Sequence, residues 1–355
     1  LGAPALGPRN RDPEVPRRPM ARDGAAERSV AKPRPPARAR PVVVAVTLAC
    51  LLAAVAPNCA GGALVPVDVL PLRTFGRDVV DRNGRRVRLF CVNWYGSHMG
   101  MLASNGLNRQ PLDVLAARIA EMGFNCVRLP FALTMLVGNA THAWQDVMPR
   151  NPKFDMKANP ALHGMNALEV FDETVAALAR HGLMVILNNH VSSPMWCCHG
   201  DDGEGLWHTR EYPESAFLEG WSLIAERYSQ EPLVVGADLR NELRQSGKLV
   251  PSWGDGNPDT DWADTAVRAA RVVLEKAPDM LIIVAGLNYC MFLCEVPLRP
   301  IHESVPELRG RVVYTSHEYA WLHIRLTARM IMETMLIYLG VAFLVVFLFL
   351  LGLCP

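Results

Sequence analysis

Between residues 89 and 316 the chain alternates short apolar runs with segments of helical periodicity, and this alternation restricts the fold more than any other feature. The runs at 89–93, 124–129, 183–188, 233–239, 280–285 and 312–316 are largely apolar rather than strictly alternating, as strands are when both faces of a sheet are covered. Helical spacing fills 112–122, 167–180, 217–228 and 264–276, with Gly123 and Gly182 as C-terminal stops after the first two. The rhythm predicts an α/β fold of the (β/α)8 TIM-barrel type, incomplete at about six β/α units. Ahead of it, residues 72–88 predict an N-terminal β-hairpin turning at Asn83-Gly84. No Gly-x-Gly-x-x-Gly follows the first strand, so a dinucleotide-binding sheet lacks its fingerprint.

The two ends of the chain have different compositions. Residues 1–41 are rich in arginine and proline and cannot bury a core, so disorder is expected there. Leu1 is not an initiator and Met20 sits just ahead of a basic stretch, which suggests that residues 1–19 are not translated. From Met20 the basic residues precede an apolar run at 42–56 and small residues at 60–63, predicting a signal peptide or signal anchor over 42–60. A barrel domain is expected over 64–322. Residues 330–353 are almost wholly apolar after Glu333 and predict a transmembrane-like C-terminal helix, making the membrane a partner. These features point to a secreted or membrane-anchored protein. The net charge of +1 offers no basic field for nucleic acid. Nine cysteines fit an exported chain, with Cys197, Cys198, Cys290 and Cys294 as disulfide candidates whose pairing stays open. Asn139 heads the sequon Asn139-Ala140-Thr141.

The chemistry gathers at the ends of the predicted strands, where barrels place it. Asp238-Leu239-Arg240-Asn241-Glu242 closes the fourth run, which puts Glu242 at a strand's carboxyl end with Asn241 beside it to orient a hydroxyl. Arg128 ends the second run, and a guanidinium there holds a carboxylate ionised. Asn93, His190 and His317 also lie at or near strand ends. The stretch from Cys197 to Glu204 offers metal-ligand types at poor spacing: adjacent cysteines are awkward for zinc, and the acidic residues lack a calcium loop's alternation. No metal or cofactor is therefore assigned. A disulfide-pinned loop carrying Trp196 and Trp207 is expected instead, with the two rings either exposed at a cleft for stacking on sugar rings or packed against neighbouring helices.

The ordered motifs 89–96, 125–130, 187–190, 238–242 and His317-Glu318-Tyr319 resemble glycoside hydrolase family 5, most of all its cellulase-type, endo-β-1,4-glucanase-like members. The resemblance runs from about Leu72 to Trp321. It implies a retaining hydrolase of a β-linked polysaccharide, with Glu242 as acid/base. It also implies that Arg128 supports the nucleophile, that His190 and His317 line the subsite of cleavage, and that Tyr319 aims at the nucleophile. In the family the nucleophilic glutamate arrives on a seventh strand, where this chain turns apolar. Glu318 is expected to face away from the cleft between His317 and Tyr319, and no nucleophile is identified. The alternative is a catalytically inactive, membrane-anchored carbohydrate-binding protein.

Overall fold

The computed structural model describes residues 63–139, 141, 155–319, 332 and 335 of the 355. Among the described residues eight strands are formed: β1 (Arg73–Phe75), β2 (Asp78–Val80), β3 (Cys91–Asn93), β4 (Cys126–Ala132), β5 (Met184–Val191), β6 (Val234–Asp238), β7 (Leu281–Ala285) and β8 (Val312–Thr315). The last six make one sheet in the order β3-β4-β5-β6-β7-β8, with every neighbour parallel. This is a curled partial (β/α) barrel. Among the described residues β3 pairs only with β4 and β8 only with β7, so the sheet is open between them.

Helices α1 (Leu112–Glu121), α2 (Ala167–Arg180), α3 (Glu214–Arg227) and α4 (Trp262–Lys276) connect successive strands, and two short helices follow β7, α5 (Leu287–Cys290) and α6 (Ile301–Ser304). Local chemistry fixes where the longer ones start. Asn166 and Glu169 form a reciprocal capping box at α2, and the Asp261 side chain accepts from the Asp264 amide at α4. Two helices are tied to the sheet by buried indoles. Trp221 of α3 donates to the Leu239 carbonyl at 3.1 Å, and Trp262 of α4 donates to the Ala285 carbonyl at 2.9 Å. Each bond joins a helix to a strand's carboxyl end while the ring fills the core.

The sheet's two faces have separate cores. Val127, Leu129 and Phe131 of β4 pack with the helices. Cys126, Met184, Ile186, Val235, Leu281 and Ile283 form a second cluster, with Leu70 and Leu72 packed against it. Residues two apart share a face of a strand. Arg128 therefore follows Cys126 on the face of the second cluster, one layer nearer the carboxyl ends. A disulfide joins Cys91 to Cys126 across paired positions of β3 and β4.

Two expectations change here, and a third lies outside the described residues. The first hairpin turns at Gly76-Arg77, between β1 and β2; the Asn83-Gly84 turn contributes a single bridge, Val80 to Arg86. Cys290 and Cys294 are free thiols rather than bridge partners, the first buried and the second exposed. The expected signal segment over 42–60 lies outside the described residues, as does most of 330–353, of which Met332 and Met335 are helical. Among the described residues no helix is long and apolar enough to cross a membrane.

Candidate active site

A cleft of about 530 Å³ opens at the carboxyl ends of the strands. Parallel strands all deliver their last residues to the same side, which explains how positions more than a hundred residues apart meet. Asn93 and Arg128 are register partners on β3 and β4, and Asn188 and Asp238 on β5 and β6. The predicted residues Asn93, Arg128, His190, Trp196, Asn241, Glu242, His317 and Tyr319 all line this one cleft.

Arg128 organises one side. Its Nε donates to Asp238 Oδ2 at 2.6 Å, its Nη2 to Asn241 Oδ1 at 3.0 Å and its Nη1 to Asn93 Oδ1 at 3.5 Å. The ion pair with Asp238 is largely buried, and the charge on both partners strengthens the hydrogen bond. Asp238 is a partner that the sequence reading passed over, although it opens the motif that ends in Glu242.

Glu242 is held by the segment after β8. Its Oε1 accepts from His317 Nδ1 at 2.9 Å and from the Tyr319 hydroxyl at 2.6 Å. Oε2 accepts no hydrogen bond among the described residues. The backbone of Glu242 sits at φ 42°, a left-handed conformation costing a non-glycine residue about 1–3 kcal/mol. Arg244 Nη1 holds that turn by donating to the Glu242 carbonyl at 3.0 Å. Burial alone would raise the Glu242 pKa, but the bonds from His317 and Tyr319, with the positive field of Arg244, outweigh it and hold the carboxyl below its ordinary value. The same contact works in reverse on Tyr319, whose hydroxyl is pushed up by burial and by the neighbouring carboxylate.

His190 Nδ1 lies 2.7 Å from Asn188 Oδ1, and its ring centroid lies 4.1 Å from that of His98, the planes tilted by 48°. Burial lowers both imidazoles, with Arg128 adding repulsion: His190 falls well below its usual value and His98 to about 4. Both are neutral at pH 7. His98, on the loop after β3, carried no strand-end signal and was missed. Tyr95 was missed too; its ring meets the exposed Trp196 edge-on at 6.4 Å, and its hydroxyl accepts from Asn105 at 2.6 Å.

The loop carrying Trp196 is anchored by ion pairs. Arg240, fully buried, donates to Glu204 Oε2 at 2.8 Å, while Glu204 also accepts from the Ser192 and Ser193 amides at 2.7 and 2.9 Å. Arg244 grips both oxygens of Asp202 at 2.6 Å. The disulfide in this loop joins neighbours, Cys197 to Cys198, and closes no chain segment that would pin it. Trp207 does not reach the cleft: it is buried against Trp262, with its indole donating to Glu214 at 2.9 Å. Glu318, expected to face away, lines the cleft because β8 ends at Thr315 and strand alternation no longer applies. Asn139 lies apart from the cleft, half-buried, with Oδ1 accepting from the Thr141 amide and hydroxyl at 3.0 Å each.

The family model described as Cellulase (glycosyl hydrolase family 5) matches residues 80–336. The chain belongs to glycosyl hydrolase family 5. It is similar to a glycosyl hydrolase 5 family protein of Chamaecyparis obtusa, 37% identical over 265 residues covering 72% of this chain and 45% of that one. An endoglucanase of Paenibacillus polymyxa is 30% identical over 258 residues, 69% of this chain and 59% of its own length. The chain thus spans about half the length of the curated relatives it matches. Among solved structures, the catalytic domain of the major endoglucanase from Xanthomonas campestris pv. campestris superposes with a TM-score of 0.59 at 28% identity, covering 70% of this chain and 69% of that one. An endocellulase from Pyrococcus horikoshii gives 0.60 at 26% identity, with the same shares of the two chains, and has also been solved in complex with cellotetraose.

Proposed function

We propose that this chain binds a β-1,4-glucan across the strand carboxyl ends and that Glu242 is the acid/base of a retaining glycosidase. The observation that carries the reading is the Glu242 carboxylate itself, positioned by His317 and Tyr319 and lining one cleft with the Arg128–Asn241 pair. Membership of the family and the cellotetraose bound by the Pyrococcus horikoshii endocellulase support the substrate class. Export is proposed on the same footing, since a Xanthomonas campestris relative is described as a major extracellular endoglucanase.

The mechanism asks two things of carboxylates: one protonates the departing glycosidic oxygen, and a second attacks the anomeric carbon at roughly 5–5.5 Å from the first. Glu242 has its Oε2 unengaged among the described residues and its Oε1 fixed. Its two donors favour the ionised form, so it takes up the proton it must deliver only when a glycan excludes water or a second negative charge comes near. His190 and His98, both neutral, can donate to or accept from hydroxyls without adding charge. Glu318 is the other glutamate lining the cleft among the described residues, and beyond it Glu333 is the only acidic residue in the 355-residue sequence. Neither is assigned as the nucleophile, so the 355-residue chain is expected to bind oligosaccharide with little or no turnover.

Hydrolysis of cellotetraose by the purified chain, by Glu242→Gln and by Glu318→Gln tests this. Weak or absent turnover with retained binding is the expected result. Robust turnover that survives Glu242→Gln would overturn the assignment of Glu242. Robust turnover lost in Glu318→Gln would make Glu318 the second carboxylate.

A further inference from the structure

The Cys197–Cys198 disulfide has no anchoring task, because Arg240–Glu204 and Arg244–Asp202 already hold its loop. It nevertheless lines the cleft. Asn241 Nδ2 donates to both sulfurs, at 3.4 Å to Cys197 Sγ and 3.3 Å to Cys198 Sγ, while Asn241 Oδ1 accepts from Arg128. Both sulfurs and a Glu242 carboxylate oxygen lie within 4.8 Å of one another. Both cysteines are half-buried, and Cys197 directly follows the exposed Trp196.

We infer that the Cys197–Cys198 disulfide is a positioning element for Asn241, and that affinity for a β-1,4-linked oligosaccharide depends on this pair being oxidised. The claim rests on the glycan-binding reading above and adds a redox condition to it. A carboxamide presents an acceptor at one end and donors at the other, and the two ends are nearly alike in shape. Arg128 takes the oxygen end. Bonded sulfurs are acceptors without protons, so they hold the nitrogen end where it is. Reduction by a dithiol breaks the S–S bond and moves two electrons and two protons onto the cysteines, while the reductant closes into its own cyclic disulfide. The products are two independent thiols, each with a proton to donate and each close enough to compete for the Glu242 carboxylate. The loop stays in place through its ion pairs, so the change is confined to the cleft. Cys290 is no exchange partner: its thiol is buried and pushed up to about 12, and it donates to the Thr315 carbonyl at 3.1 Å.

The experiment uses the full chain with asparagine-selective ¹⁵N labelling. The Asn241 carboxamide signal is assigned by its disappearance in Asn241→Asp, and cellotetraose affinity is measured by calorimetry. Dithiothreitol treatment, with liberated thiols counted, is expected to shift the Asn241 signal and weaken cellotetraose binding about three- to tenfold, the range spanned by one net hydrogen bond. The double variant Cys197→Ala/Cys198→Ala is expected to show the weakened affinity from the start. It keeps the Cys91–Cys126 bridge, so its indifference to dithiol assigns the effect to the vicinal pair. An unmoved Asn241 signal in the reduced chain overturns the positioning claim. A moved signal with unchanged affinity overturns the redox condition on binding. If the oxidised chain binds no cellotetraose while the Asn241 signal still moves on reduction, the glycan reading fails and the positioning of Asn241 stands.

Discussion

Glu242 and the two neutral histidines give the site a pH dependence whose sign follows from their partners. A carboxyl whose pKa is depressed on folding binds fewer protons folded than unfolded, so its contribution is present above the unfolded value and lost as pH falls through the folded one. His98 is also depressed, from 6.5 to about 4, and between those values the unfolded chain again holds more protons. Both groups therefore make the chain less stable as pH drops, with the histidine loss beginning at the higher pH. Urea denaturation across this range should show stability declining below pH 6.5, and His98→Asn should flatten the part of the decline between pH 6.5 and 4. An unchanged slope in the variant would mean that His98 titrates normally. Where turnover is measurable, Glu242→Gln is expected to reduce it about 10²–10⁴-fold, the usual share of general acid–base help, while leaving oligosaccharide binding in place. At this scale Glu242, Asn241, His317 and Tyr319 were legible because each ends or follows a strand in a parallel fold. Tyr95 and His98 were not, since they sit on a loop after β3 whose course no local pattern dictates.

The loop between β5 and α3 shows how an element can be recognised while its supports are misread. Cysteines, tryptophans and acids were visible in it, and a disulfide was the expected restraint. The restraints are instead two buried arginine–carboxylate pairs, whose arginines come from the segment after β6, about forty residues on. Sequence spacing says nothing about pairing across such a distance. Breaking one buried pair strands a charge, so Glu204→Ala should cost about 3–5 kcal/mol by leaving Arg240 unpaired. Denaturant titration gives the number, and a loss below about 1 kcal/mol would show that water reaches the guanidinium. The same variant should weaken cellotetraose binding, because the Ser192 and Ser193 amides lose the acceptor that holds the loop next to Trp196. Gly205 is a second control point. A Cβ there would press against the Arg244 and Gln245 carbonyls at 2.5 and 2.8 Å, so Gly205→Ala should lower the melting temperature and loosen the same loop.

At the scale of the whole molecule, the alternation of apolar runs and helical segments specified the architecture because parallel strands covered on both faces leave few other patterns. All six sheet strands and the four longer helices formed where that alternation placed them, within a few residues. The hairpin was only partly legible: Asn83-Gly84 advertises a turn, but β1 and β2 reverse earlier, at Gly76, whose φ of 56° needs a glycine. The disulfide between β3 and β4 was invisible until register was known, since Cys91 and Cys126 become partners only through strand pairing. A sheet that the described residues leave open between β3 and β8 still brings every catalytic candidate to one side, because parallel direction rather than closure decides where strand ends point. The central claim is that this side is a β-1,4-glucan site organised around Glu242, and a crystal structure of the Glu242→Gln variant with cellotetraose tests it most directly. The account predicts a glycan lying over Trp196, with a glycosidic oxygen within about 3 Å of the side chain at position 242. A glycan bound elsewhere on the surface, or a cleft left empty at saturating cellotetraose, would contradict it.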